Sequence, residues 1–238
     1  MKVTIIKEVR KELLDNSDET TRNSSKRYFK EDIKVYGVKT ATVIKIAKKA
    51  FKQIKDLPKD EIFDLCEELW ASGIMEEAFV ACNWSYALKT QYTEDDFFVF
   101  ERWVNKYVSN WATCDTLCNH NVGDFLEKFP QHIEKLKEWT ESENRWVRRA
   151  SAVSLILPAR KGMFKEDIFQ IADKLLLDKD DLVQKGYGWI LKSLAEYYEN
   201  DVHQYVLSKR AIMPRTALRY AIEKMPKEMK QEAMEKVK

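Results

Sequence analysis

Residues 40–54 read TATVIKIAKKAFKQI, and this stretch decides how the rest of the chain is read. Val43, Ile46, Ala47, Ala50, Phe51 and Ile54 recur at intervals of three and four, the period of a helix with one apolar face. Lys45, Lys48, Lys49 and Lys52 fill the other side. Pro58 then supplies a stop and a restart, because proline lacks the N–H that a helix interior needs but is accepted at a helix start. Ile62, Leu65, Cys66, Leu69 and Trp70 form the next stripe at the same period.

Outward from here, the period predicts further helices near 74–89, 93–108, 111–128, 130–140, 144–160, 164–177, 181–199, 201–208 and 214–224. The links are short, as at 90–92, 142–143 and 177–179, and 6 Gly and 5 Pro in 238 residues leave little material for strands and hairpins. Short links force neighbouring helices to run antiparallel. Helix pairs repeating at roughly 35–40 residues predict an all-α fold, an α-solenoid of antiparallel, HEAT-like helix pairs. Residues 1–238 are expected to form a single such domain, with a concave face able to wrap a cylinder such as duplex DNA. No strong identity relates the units, so an ordinary helical bundle fits the same pattern.

Charged residues make up 34% of the chain, against roughly 25% in ordinary globular domains. The net charge of +2 says little, but its distribution is uneven. Residues 1–59 carry 16 Lys+Arg against 8 Asp+Glu, residues 60–144 carry 6 against 18, and residues 145–219 carry 14 against 9. A chain divided this way can present a basic face to a polyanion and an acidic face elsewhere. Solvated helix faces would give the same counts.

The opening residues, MKVTIIKEVRKELL, are interrupted by Lys and Glu every few positions, unlike a secretory leader. No apolar run approaches the roughly 20 residues that span a bilayer, so no membrane is expected. A cytoplasmic location with reduced thiols follows. Cys114, Cys118 and His120 lie close in sequence, but structural zinc needs a fourth ligand, and His132 and His203 stand apart. Neither a metal nor a cofactor is expected; Cys66, Cys82, Cys114 and Cys118 read as buried structural thiols.

Four segments carry a resemblance. Arg27-Tyr28-Phe29-Lys30 is followed by Tyr36-Gly37-Val38-Lys39-Thr40; the others are Asn110-Trp111-Ala112-Thr113-Cys114-Asp115-Thr116, Asn144-Arg145-Trp146-Val147-Arg148-Arg149-Ala150 and Gln184-Lys185-Gly186-Tyr187-Gly188-Trp189. In this order and spacing they resemble the AlkD-like family of DNA alkylation repair glycosylases, whose members have HEAT-like repeats. The resemblance implies that Asp115 is the catalytic carboxylate. Trp111 and Trp189 would flank the sugar and phosphate of the damaged nucleotide, and Arg149 would hold the backbone beside it. It also implies an aromatic contact from Tyr28, near the start of the second helix. Arg148 stands where the family has neutral residues and is left as a phosphate contact. Arg145, Lys185, Lys192 and Lys30 are further basic candidates for the DNA backbone, with Lys26, Arg27, Arg215 and Arg219 more distant. The implied partner is double-stranded DNA containing alkylated bases, bound by a monomer, in base excision repair.

The residue types fit that chemistry. Trp111 and Asp115 are four apart and share one helix face. An indole face and a carboxylate together suit a sugar with cationic character, as arises when a glycosidic bond breaks. An ordinary purine needs a general acid to leave. An N3- or N7-alkylated purine is already cationic and leaves neutral, so one carboxylate can suffice. Without the resemblance, Trp111 and Trp189 would read as core residues and Asp115 as a cap or ion-pair partner. Gly186 and Gly188 each cost a helix roughly 1 kcal/mol relative to Ala, so a close neighbour is expected there, either another helix or DNA. Two other functions stay open at this level: a non-catalytic DNA-binding relative, and a HEAT-type protein scaffold.

Overall fold

A computed structural model describes residues 2–235, and all regular structure in it is helical; one isolated bridge between Lys34 and Ile74 is the nearest approach to a strand among the described residues. The chain divides into two compact units, Met1–Leu117 and Cys118–Lys238.

The first unit contains α1 (Lys2–Asp15), α2 (Glu19–Arg27), α3 (Thr40–Ile54), α4 (Lys59–Ala71), α5 (Met75–Ala87), α6 (Asp96–Lys106) and α7 (Trp111–Thr116). The stripe Val43, Ile46, Ala47, Ala50 and Ile54 is buried as its period requires, and α3 packs through it on α1 and α5. Helix α5 is the exception to one-sided patterning: from Glu76 to Ser85 nearly every side chain is buried, because α3, α4 and α7 all pack on it. A dense aromatic group, Phe63, Trp70, Tyr92, Phe100 and Trp103, fills the space around α4 and α6, with ring centroids 5.2–6.2 Å apart.

The second unit begins inside a π-helical turn, Leu117–Val122. It continues with α8 (Gly123–Lys128), α9 (Ile133–Trp139), α10 (Arg145–Val153), α11 (Ile156–Arg160), α12 (Lys165–Lys174), α13 (Asp181–Ala195), α14 (Glu199–Lys209), α15 (Arg215–Ala221) and α16 (Lys227–Met234). Helix α13 is central and packs against α10, α11, α12, α14 and α15.

Two expectations change. The helix expected over 144–160 is two helices, α10 and α11, with a turn at Ser154 and Leu155. Pro158 has no N–H to offer the Ser154 carbonyl and its ring would crowd that oxygen. The displaced carbonyl is accommodated at Gly123, where a Cβ would lie 2.9 Å from it. The stretch 111–128 is interrupted by the π-helical turn after Thr116. Helices α1, α2 and α16 add to the predicted set.

Candidate functional site

In the first unit the candidate residues sit on α7 and on the segment after α2. Asn110 caps α7, its side chain accepting a hydrogen bond from the Thr113 N–H at 3.0 Å. Thr113 and Cys114 face the core, while Trp111 and Asp115, one turn apart, are only partly buried. Of the seven tryptophans, Trp70, Trp84, Trp103, Trp139 and Trp146 are buried. Trp111 and Trp189, the two assigned a role by resemblance, are those that are only partly buried.

Trp111 has an aromatic partner. Phe29 stacks on it with centroids 5.0 Å apart and planes 15° from parallel. Tyr28, the aromatic chosen from the sequence, is 75% exposed. It is the C-cap residue of α2, not near that helix's start, and Phe29 lies in the irregular turn that follows. Where no helical period applies, the tetrapeptide Arg-Tyr-Phe-Lys does not reveal which ring turns inward. Lys26, Arg27 and Lys30 are exposed around the two aromatics.

The chain between Phe29 and α3 is held from below by two carboxylates. Glu76 is 2% exposed and accepts hydrogen bonds from the backbone N–H groups of Tyr36 (3.1 Å), Gly37 (2.8 Å) and Val38 (3.1 Å). Glu77 is fully buried and accepts from the Arg10 guanidinium at 3.0–3.1 Å and from the Tyr36 hydroxyl at 2.6 Å. That hydrogen bond to Glu77 raises the Arg10 pKa further, while burial first and Glu77 second push the Tyr36 hydroxyl up, so it stays protonated. Gly37 takes φ +87°, and a Cβ there would lie 2.6 Å from the Asp18 carbonyl oxygen, so glycine is required at this turn. Thr40 opens α3 as the Gly-Val-Lys-Thr motif implies.

In the second unit the candidates are on α10 and α13. Asn144 caps α10 through the Trp146 N–H (2.9 Å), and Asp180 caps α13 through the Leu182 N–H (2.9 Å). Arg148 bonds Asp178 at 2.6 Å and donates to the carbonyls of Ser142 (2.8 Å) and Glu143 (3.0 Å). Its guanidinium therefore ties α10 to the turn before α13. Arg145 pairs with Asp180 at 2.9 Å and lies over the Trp146 ring, 4.7 Å from its centroid. Arg149 is 4% exposed and donates to the Leu182 carbonyl.

Helix α13 carries Lys185 and Trp189 one turn apart, both partly exposed. Lys185 pairs with Asp181 at 3.2 Å, and Lys192 pairs with Glu223 at 2.8 Å while lying over the Tyr220 ring. The two glycines have different neighbours. A Cβ on Gly188 would lie 2.6 Å from Tyr220 Cβ and 2.7 Å from the Ala217 carbonyl oxygen, so that glycine lets α15 approach. A Cβ on Gly186 would meet Arg149 Cγ and Val153 at ordinary contact distance, 3.5 Å.

The acidic middle of the chain is partly internal. Besides Glu76 and Glu77, Asp96 is buried beside Lys59 (2.7 Å), and Glu67 accepts from Arg102 (2.6 Å) and the Tyr107 hydroxyl (3.0 Å). All four cysteines are buried free thiols, and no group of three His, Cys, Asp or Glu among the described residues is placed to hold a metal ion. No helix is long and apolar enough to cross a membrane among those residues.

Residues 9–225 match the family model described as DNA alkylation repair enzyme. A solved structure described as "Predicted DNA alkylation repair enzyme from Enterococcus faecalis" has the same fold, with a TM-score of 0.79 at 15% identity over 89% of this chain and 98% of that one. No curated protein matches the sequence.

Proposed function

This chain belongs to the DNA alkylation repair enzyme family, and from that premise we propose that it is a monofunctional DNA glycosylase acting on cationic alkylated purines, such as N3-methyladenine and N7-methylguanine, in duplex DNA. Family membership supports a role in alkylation repair with DNA as partner. The observation that supports the finer reading is the pairing of a partly exposed indole with a carboxylate one turn along α7.

In the proposed reaction the bond between sugar C1′ and the purine nitrogen breaks, and both electrons go to the base. The base carried a positive charge, so it departs neutral and needs no acid. The positive charge passes to the sugar, where Asp115 and the face of Trp111 oppose it. Water adds to C1′ and gives its proton to the carboxylate or to solvent. Trp189 is assigned to the sugar and phosphate of the same nucleotide. Arg149 is assigned to the backbone beside it, with its guanidinium oriented by the Leu182 carbonyl. Tyr28 is assigned an aromatic contact with the DNA, Lys30, Arg145, Arg148, Lys185 and Lys192 are assigned to phosphates further along, and the protein is proposed to act as a monomer.

The test is release of base from methylated duplex DNA at low salt by the wild type and by Asp115→Asn. The proposal expects release by the wild type and a loss of about 10²- to 10³-fold or more in the variant, the range for removing one preorganised electrostatic group, with DNA binding retained. Binding without release by the wild type would make the protein a non-catalytic DNA-binding member. Absence of any DNA binding would favour a protein scaffold.

A further inference from the structure

Helix α3 carries four lysines and no acidic residue. Lys49 pairs with Glu12 at 2.5 Å. Lys45, Lys48 and Lys52 are exposed and have no ion-pair partner among the described residues. By contrast, Lys59, Lys137, Arg148, Lys165, Lys174 and Lys192 each lie within 3.0 Å of a carboxylate oxygen.

The three free lysines are spaced by three and four, so they form one row along the solvent side of α3, opposite the buried Val43–Ala50 stripe. Like charges at this spacing cost an isolated helix a few tenths of a kcal/mol per pair. The carboxylates of α1 that reach α3, Glu8 and Glu12, bond Gln53 and Lys49 beside the row rather than the row itself.

We propose that the row Lys45, Lys48 and Lys52 is a phosphate track for duplex DNA, separate from the residues assigned to the lesion. A rise of about 1.5 Å per residue makes the row about 10 Å long. Successive phosphates of one strand lie further apart than their axial rise of about 3.4 Å, so a row of this length on flexible side chains can face about two to three phosphates. Three separate, flexible, strongly hydrated ammonium groups hold phosphates without reading bases. The row therefore contributes affinity independent of sequence and damage. This inference rests on the reading that the protein acts on duplex DNA, but not on the glycosylase chemistry.

The experiment is binding of an undamaged duplex, titrated against salt, by the full chain and by the triple variant Lys45→Gln, Lys48→Gln, Lys52→Gln. A control variant makes the same charge change at the paired lysines Lys11→Gln, Lys174→Gln and Lys224→Gln. Each phosphate contact contributes about 0.9 to the slope of log affinity against log salt. The expected result is a slope lower by about 2 to 3 and affinity weaker by tenfold or more at low salt for the α3 variant, with little change in the control.

Equal slopes for the α3 variant and wild type would overturn the proposal, as would an equal loss in the control, which would mean that only net charge matters. Lysine-dependent binding to vesicles of anionic lipid, with duplex binding unaffected, would reassign the row to a membrane surface. A wild type that binds duplex but releases no base would end the glycosylase reading and leave the track standing, whereas a wild type that binds no duplex would end both.

Discussion

Trp111 and Asp115 can be partly exposed on α7 because the next two side chains inward, Thr113 and Cys114, provide the burial that anchors the turn. The ring of Trp111 is then steadied from outside by Phe29, in a near-parallel stack. Aromatic pairs of this kind are worth about 0.5–1.5 kcal/mol. If that energy orients the indole in the reaction, Phe29→Ala should slow base release about 2- to 12-fold, and Phe29→Tyr should stay near wild type. Tyr28→Ala, lacking a stack on Trp111, should change DNA affinity more than the rate at saturation. Equal rates for Phe29→Ala and wild type at saturating DNA would show that the stack is only structural. Which aromatic meets Trp111 was not legible in the sequence, because both lie in a turn without a period. Nor was the engagement of Arg148, whose partner Asp178 is thirty residues away.

At the scale of elements, α13 shows how one helix combines packing with a candidate surface. Its Gly-Tyr-Gly segment reads ambiguously as sequence, since each glycine weakens a helix whichever neighbour it serves. The two should respond oppositely to alanine. At Gly188 the new Cβ meets the backbone of α15 at 2.7 Å and cannot be relieved by rotating a side chain. Gly188→Ala should therefore destabilise the second unit, by about 1–3 kcal/mol, as overpacking does. At Gly186 the new methyl finds ordinary contacts, so the gain in helix propensity dominates and Gly186→Ala should stabilise by up to about 1 kcal/mol. Denaturant unfolding of both variants checks the pair; a loss of stability at Gly186 would mean that Arg149 needs the space. Elsewhere the period located most helices, but it could not see the interruption after Ser154, where Pro158 and Gly123 act together across the fold.

At the scale of the whole molecule, acidity has a structural use in both units. Glu67 is held below the usual carboxylate range by the Arg102 guanidinium, with the Tyr107 hydroxyl assisting; Glu196 is held down by Lys224, with Arg160 also acting. Asp18 is lowered by its hydrogen bonds from Thr21, and Glu141 by Lys174. Each folded pKa lies below its unfolded value, so protons bind the unfolded chain more tightly as pH falls. Their stabilisation is complete above the unfolded pKa, about 4, and is lost as pH drops through the folded values. Thermal melting followed by circular dichroism should therefore be flat from neutral pH to about 5 and fall steeply below about 4. Glu67→Gln should lower stability at neutral pH and make the acid fall shallower. A Glu67→Gln profile parallel to wild type would mean that this pair contributes nothing.

The sequence by itself determined that the chain is helical and where most helices lie, because apolar period and short links are local properties. Motif order also pointed to the family that the whole-chain comparison identifies. Only the tertiary structure decided which charges and rings are available. Burial of Glu76 and Glu77 under the turn before α3, the tie between Arg148 and Asp178, the stack of Phe29 on Trp111 and the unpartnered lysine row on α3 all depend on residues distant in sequence. A side chain's charge is fixed by its chemistry, but whether that charge is free to meet a partner is fixed by what folds against it.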